Sequence, residues 1–391
     1  MNNAFASTWL AVSLLLGLPP DALAQQPLRV GVSLSITGKQ YSVQGNYCRE
    51  GYLLCQKHVN ARGGVGGRPI QFVIYDDISD EKTAAELYEK LVDKVDAVLG
   101  PYGSAITEAV ADVAEKHRKL MIAANAATSS IWEKGRRYLI MVLAPIDSAS
   151  LGVLDLAARN SLMRVAVINQ DALLPKAVGK GAADIAKQKG LEVLLFETYT
   201  SGTADFSPLL TKIKALNPDV LVAASVRLDD LVGITRQMKD ADLNVKMLSS
   251  LPYGLLPEYY QRLGKDAEFV YSATFWEAGL PYPGNQEFVA AYEQEYKRAP
   301  AVQSANSYAG CELFVEAVRR AGTTDSDKLK DVLLTLKMKT ILGDFAIDER
   351  GFQIGQKAVA IQWQAGKQVV VWPDEMVTGK PRFPTPLWDA R

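Results

Sequence analysis

Two hydroxyl residues that follow neighbouring predicted strands bear most directly on chemistry in this chain. Ser104 comes after a strand and a Gly/Pro turn ending at Gly103, and Thr128 comes after the next strand and a turn containing Asn125 and Ala126. A helix start presents unpaired N–H groups and the positive end of its dipole, which together attract anions. Parallel strands end at one edge of a sheet, so the two helix starts are expected to lie close together. We expect them to bind one carboxylate between them.

Nothing in the surrounding sequence turns this clamp into a reaction centre. The chain has two histidines, His58 and His117, and contains neither a Gly-x-Ser-x-Gly nor a His-Glu-x-x-His pattern. The run Gly63–Gly67 follows a predicted helix and precedes a strand, the reverse of what a dinucleotide loop requires. We therefore expect a binding protein that is not an enzyme, with no cofactor and no metal.

Composition narrows the possible partners. The chain has 391 residues, 48% hydrophobic and 22% charged, which is enough for two globular domains. The formal net charge is −1 and no lysine- or arginine-rich run occurs. This balance argues against nucleic acid or an anionic membrane as the principal partner.

The first residues have the pattern of an export signal. An apolar core, Trp9–Leu18, is followed by two prolines and by the small-x-small sequence Ala22–Ala24 before Gln25. The usual positive charge is missing from Met1–Thr8, and the core is too short to span a bilayer. We predict a signal peptide over residues 1–24, cleavage near Ala24–Gln25, a periplasmic location and no membrane anchor.

The three cysteines do not suggest a disulfide framework. Cys48 and Cys55 are seven residues apart on one predicted helix, about 10 Å along its axis, which is too far for a bond. Cys311 lies in another apolar helix. The expected state is three buried thiols that pack as small hydrophobic groups.

Strands and helices alternate along the chain in two series. The first begins with the strand Leu28–Leu34. The second begins near Pro145 and includes the helix Ser207–Leu216 and the strand Val220–Ser225. Further helices follow Phe275, and two short strands close the sequence. This order predicts an α/β protein with two doubly wound parallel sheets, in which ligands bind beyond the carboxyl ends of the strands.

Several short segments, in this order and spacing, resemble the leucine/isoleucine/valine-binding class of ABC-importer solute-binding proteins. The segments are Val30–Gly38, Val59–Gly67, Tyr75–Asp77, Gly100–Ser104, Asp205–Ser207, Ser307–Gly310, Gly343–Phe345 and Asp348–Gly351. The resemblance implies a type I periplasmic binding fold, in which two Rossmann-like lobes joined by a three-crossing hinge close on a small ligand. It implies lobe one over residues 28–144 and 276–351, and lobe two over 145–275 and 352–391. It also implies a monomer that presents its ligand to a membrane permease.

The same resemblance assigns roles in the first lobe. It implies that the hydroxyl and N–H of Ser104, next to Gly103, hold the ligand carboxylate, with Thr128 as the second carboxylate-binding position. The carbonyl of Ala126, next to Asn125, would accept from an ammonium group.

Aromatic residues are expected around the ligand. Tyr41 and Ser42 follow the first strand, and Tyr102 precedes Ser104, in loops where aromatic rings stack on a ligand or close over it. Trp276 lies at the expected crossing between lobes, where it either lines the cleft or packs in the hinge.

The second lobe departs from the amino-acid-binding pattern. The acid that would pair with an α-ammonium should fall near Tyr253, yet residues 249–253 contain no acid. Arg227 either faces the cleft and binds a carboxylate or pairs with Asp229 or Asp230. An inward Arg227 favours an organic acid without an amino group, whereas Asp171 or Asp229 would restore an ammonium partner and keep amino acids possible.

Three functions follow from these observations. The leading hypothesis is a periplasmic carrier for a small carboxylate-bearing solute. The alternatives are a ligand-sensing regulator with the same fold, resembling the amide sensors, and an exported doubly wound enzyme. An export signal favours the carrier, and the scarcity of histidine weighs against the enzyme.

Overall fold

The first part of the chain builds a five-stranded sheet. The computed structural model describes residues 26–391, so the predicted signal peptide lies outside the described residues. All strand pairs of this sheet are parallel, in the order β2-β1-β3-β4-β5. Its elements are β1 (Leu28–Leu34), α1 (Ser42–Ala61), β2 (Ile70–Asp76), α2 (Glu81–Leu91), β3 (Ala97–Leu99), α3 (Ser104–Lys116), β4 (Met121–Ala123) and β5 (Leu139–Met141).

A second sheet begins after the chain leaves β5. Its central strands are continuous apolar runs buried on both faces, as parallel strands between helices require. Its elements are α4 (Leu151–Arg159), β6 (Arg164–Gln170), α5 (Leu173–Gln188), β7 (Glu192–Tyr199), α6 (Ser207–Leu216), β8 (Val220–Ser225), α7 (Leu228–Asp240), β9 (Met247–Pro252), α8 (Pro257–Leu263) and β10 (Tyr271–Thr274).

The chain then returns to the first sheet and finally rejoins the second. The returning elements are α9 (Asn285–Tyr296), α10 (Val302–Ala321), α11 (Ser326–Thr335) and the hairpin β11 (Met338–Thr340) and β12 (Gly343–Phe345). The last strands, β13 (Val359–Gln364) and β14 (Lys367–Trp372), complete a sheet of order β14-β13-β10-β9-β8-β6-β7. The predicted fold class of two doubly wound α/β sheets with three crossings is confirmed.

Helices α1 and α10 pack side by side with their backbones in direct contact at Gly51 and Ser304. A Cβ atom on Gly51 would lie 2.1 Å from the carbonyl oxygen of Ser304, so this approach of the two backbones requires glycine. The contact is crosslinked by a disulfide between Cys55 and Cys311, whose Cα atoms are 6.3 Å apart. Cys48 is a buried free thiol.

The expectation of three free thiols is therefore wrong for two of the cysteines. Spacing within one helix excludes the pair Cys48 and Cys55, but it says nothing about residues on two helices that tertiary packing brings together. The signals available in the sequence were the export leader, which implies an oxidising compartment, and cysteines on two apolar helix faces.

No helix within residues 26–391 combines the length and apolar character needed to cross a bilayer.

The disulfide should contribute strongly to stability because it closes a segment of 256 residues. We expect Cys55→Ala with Cys311→Ala to lower the free energy of unfolding by about 2–5 kcal/mol, measured by urea denaturation. Dithiothreitol should lower the melting temperature of the wild type but leave that of the double variant unchanged. Equal sensitivity of both proteins to the reductant would contradict the crosslink.

Candidate functional site

The turn between β3 and α3 presents the first predicted ligand-binding residue. Gly103 is the N-cap of α3 with φ +91°, a conformation that favours glycine, and its N–H donates to the Asn125 carbonyl at 3.1 Å. Ser104 is thus the first helical residue, and the helix has no side-chain cap. The predicted helix start after the turn is confirmed.

The structure brings the two predicted hydroxyls together. Thr128 Oγ1 donates to Ser104 Oγ at 2.9 Å, and the Ala127 N–H approaches the same oxygen at 3.4 Å. Both hydroxyl residues are buried, with 4% of Ser104 and 1% of Thr128 exposed. A ligand carboxylate that reaches this corner must therefore break the hydrogen bond between the two hydroxyls and replace it with hydrogen bonds of its own.

The second helix start differs from the sequence prediction. Thr128 precedes a single 3₁₀ turn, Ser129–Ile131, so this position lacks the dipole of a full helix. Asn125 donates to Ser307 Oγ on α10 at 2.8 Å, which fixes the turn to that helix. Ala126 is buried, and no N–H or O–H group in residues 26–391 donates to its carbonyl oxygen.

Three tyrosines meet where the two sheets face each other. The hydroxyls of Tyr102, after β3, and Tyr253, after β9, are 2.8 Å apart. The ring of Tyr41 meets that of Tyr102 edge to face, with centroids 5.4 Å apart. Burial raises the pKa of both Tyr102 and Tyr253, so the paired hydroxyls are neutral at physiological pH. Ser42 begins α1 and does not join this cluster; its carbonyl accepts from Asn46.

A cavity of about 810 Å³ lies beside the tyrosine cluster. Of the predicted site residues, Arg227, Tyr253 and Trp276 line it. The remaining ones do not: Tyr41, Ser42, Tyr102, Gly103, Ser104, Asn125, Ala126 and Thr128. The cavity size is typical of small-molecule sites. Tyr253 belongs both to the cavity wall and to the tyrosine contact, so it connects the cavity with the α3 turn.

Trp276 combines the two roles considered for it. Its Nε1 donates to Asn285 Oδ1 at 2.6 Å, and its ring packs edge to face on Phe288. It also lines the cavity. Because the indole N–H is already used, the tryptophan offers a ligand an apolar ring surface.

Arg227 is likewise both paired and facing the cavity. Its Nε donates to Asp230 Oδ1 at 3.1 Å, while 44% of its side chain is exposed. Asp230 is buried and also accepts from the hydroxyls of Ser225 at 3.0 Å and Tyr199 at 3.3 Å. Asp230 thus orients the guanidinium. Its Nη2 also lies 3.9 Å from Asp229 Oδ2, and its Nη1 has no acceptor within residues 26–391.

The acids considered as ammonium partners are engaged elsewhere. Asp171 pairs with Lys176 at 2.9 Å and does not line the cavity. Asp229 lines the cavity, but its Oδ1 accepts from Arg262 at 2.7 Å.

Sequence reasoning missed further residues of the cavity wall. Gln170, at the end of β6, accepts from Ser225 Oγ and the Val226 N–H, and it lines the cavity. Val302 and Gln303 contribute from the start of α10. The end of a parallel strand was a usable signal for Gln170, whereas the return of α10 to the cavity is a tertiary feature.

Two α/β sheets that present strand ends and a ligand-sized cavity define a type I periplasmic binding fold. The chain belongs to the periplasmic binding protein family, whose sequence profile matches residues 27–368.

Similar proteins show the same class. A leucine-, isoleucine-, valine-, threonine- and alanine-binding protein of Pseudomonas aeruginosa is 24% identical, covering 87% of this chain and 91% of the relative. The branched-chain amino acid substrate-binding protein LivJ of Streptococcus pneumoniae, solved with isoleucine, has a TM-score of 0.77 at 22% identity and covers 89% of this chain and all of its own. An R. palustris ABC-transporter solute-binding protein, solved with benzoate, has a TM-score of 0.74 at 21% identity, covering 90% and 99%.

The tyrosine contact should couple the two halves of the protein energetically. Tyr102→Phe and Tyr253→Phe should each lower the free energy of unfolding by about 1–3 kcal/mol, because each leaves the other buried hydroxyl unpaired. The double variant should lose less than the sum of the two, as measured by urea denaturation in a double-mutant cycle. Strict additivity would show that the hydroxyls do not interact in solution.

Proposed function

We propose that this protein is the exported solute-binding component of an ABC importer. In this proposal it binds a small carboxylate-bearing solute between its two lobes and delivers it, as a periplasmic monomer, to a membrane permease. The lobes span residues 28–144 with 276–351 and residues 145–275 with 352–391. The carrying observation is the cavity at the strand ends, lined by Arg227, Tyr253 and Trp276. Membership of the periplasmic binding protein family supports a role in binding without turnover.

The carboxylate is proposed to bind at the start of α3. Opening of the Tyr102–Tyr253 contact exposes Ser104 and Thr128, and the carboxylate then replaces the hydrogen bond between their hydroxyls. Charge-assisted hydrogen bonds contribute about 1.5–3 kcal/mol each, more than the neutral bond they replace. The partial positive charge at the start of α3 adds to this attraction.

The solute is proposed to be an organic acid without an α-ammonium group. Tyr253 stands where the resemblance to amino-acid-binding relatives places an acid, and its hydroxyl is paired with Tyr102 rather than with a carboxylate. Asp229 is held by Arg262, and Asp171 is outside the cavity lining. The R. palustris protein of the same fold, solved with benzoate, supports this class of solute.

A thermal-shift screen tests the proposal. Aromatic acids, aliphatic acids and amino acids are compared at equal concentration, and a true ligand raises the melting temperature by mass action. Stabilisation by organic acids supports the proposal. Stabilisation confined to amino acids would overturn the proposed solute class, and a chain that binds no carboxylate at all would overturn the function.

Removal of both hydroxyls tests the position of the carboxylate. Ser104→Ala with Thr128→Ala should weaken binding of the best acid in the screen at least tenfold, about 1.4 kcal/mol or more, measured by calorimetry. Ser129→Ala is the control, because Ser129 lies in the same turn and donates to Asp147. Unchanged affinity in the double variant would remove both residues from the site.

Replacement of the cavity arginine tests its role. Arg227→Met is made together with Asp230→Asn, so that no buried carboxylate loses its cation. We expect organic acids to lose more affinity than amino acids in calorimetry. Equal losses for the two classes would contradict recognition by Arg227.

A further inference from the structure

The first turn of α10 faces the cavity with unused donors. Residues 299–303 all belong to the cavity wall. The N-cap, Ala301, has an apolar side chain and makes no side-chain cap hydrogen bond. No acceptor within residues 26–391 pairs with the backbone N–H groups of Val302 and Gln303. These donors stand at the positive end of a 20-residue helix.

The side chain of Gln303 provides independent evidence for a ligand at this place. Gln303 is 6% exposed and lines the cavity, yet its amide makes no hydrogen bond with any described residue. The amide therefore has no partner among the described residues, and a ligand oxygen in the cavity would supply one.

The acids of the cavity wall do not serve these donors. Asp229 accepts from Arg262, and Glu277 accepts from the Gly279 N–H at 2.6 Å. Glu258 is exposed. The wall formed by α10 therefore has a surplus of donors, and the wall from the second sheet adds the free Nη1 of Arg227.

We propose that the start of α10 is a second oxygen-anion subsite, and that the solute is a diacid with its two carboxylates well separated. This proposal rests on the proposed function, since it assumes that the cavity receives an acid. One carboxylate binds to Arg227 in the wall from the second sheet or to the Ser104–Thr128 corner. The other binds to the N–H groups of Val302 and Gln303 and to the Gln303 amide. Tyr253 and Trp276 contact the carbon skeleton between them.

Matched pairs of probes separate this proposal from simple acid binding. Adipate is compared with hexanoate, and terephthalate with 4-methylbenzoate, so that each pair differs by one carboxylate. Calorimetry on the full mature chain should show at least one diacid binding tenfold or more tightly than its monoacid. Monoacids that bind as tightly as both diacids would overturn the second subsite and leave the proposed function standing. Failure of every acid would overturn both.

Two substitutions at the start of α10 locate the subsite. Gln303→Glu places a negative charge where the second carboxylate would lie, and an acid in the first turn suits the helix dipole, so folding is retained. Val302→Pro deletes one N–H at the first helical position, where proline is favoured. Ala301 before it is already extended, at φ −101° and ψ 164°, as a residue before proline must be.

The matched control is Gln286→Glu. Gln286 occupies the same second helical position in α9, but it is exposed and outside the cavity wall. Its amide donates to the Ala278 carbonyl, which keeps a second donor, Asn285, in the variant. Gln303→Glu should lower the ratio of diacid to monoacid affinity to about one, and Val302→Pro should lower this ratio several-fold. Both variants should retain their affinity for the monoacid. Gln286→Glu should leave the preference unchanged. A diacid preference that survives both α10 substitutions would place the second carboxylate elsewhere and overturn the proposal.

Discussion

The hydrogen bond between the Tyr102 and Tyr253 hydroxyls is the contact on which the arrangement of the site depends. It joins the turn after β3 of one sheet to the turn after β9 of the other. Tyr102 stands two residues before Ser104, and Tyr253 lines the cavity. Because an unpaired buried hydroxyl costs about 1–3 kcal/mol, separation of the two halves is favourable only when water or a ligand replaces this bond. Access to the α3 turn is thereby linked to the state of this contact.

The second sheet brings the positive charge of Arg227 to the cavity, and a buried acid holds that arginine in place. Asp230 is 2% exposed and accepts from two hydroxyls as well as from Arg227. The arginine is therefore held in place by that acid, and in the proposed function less conformational entropy would be lost when it binds a carboxylate. The sequence offered two alternatives for this arginine, a surface pair or a cleft residue. The structure shows that pairing and cavity lining occur together, because the guanidinium has several donors.

The local sequence pattern was sufficient to predict most of the strands and helices of the fold. The strand Leu28–Leu34, the strand Val220–Ser225 and the helix Ser207–Leu216 were predicted with their observed ends, since apolar runs and turn residues bound them clearly. Strands β5 and β10 were missed. They have three and four residues; β5 is defined only by an edge pairing with β4, and β10 by antiparallel pairing with the distant strand β13.

The candidate site was predictable to the extent that it lies on strand ends. Ser104 and Thr128 were expected to meet because their strands are neighbours, and their hydroxyls do meet. The tyrosine contact and the approach of α10 to the site were not predictable, because they join segments about 150 and 180 residues apart through tertiary packing. The Cys55–Cys311 bond escaped prediction for the same reason.

The bond between Cys55 and Cys311 ties the cavity wall to the redox conditions around the protein. Helix α10 carries the cavity wall at its first turn and is tethered to α1 halfway along its length. Thiols in a reducing compartment stay unpaired, so there α10 would be held to α1 by packing alone. The full constraint on that wall therefore depends on oxidising surroundings, which makes the stiffness of the cavity wall a property of the compartment as well as of the sequence.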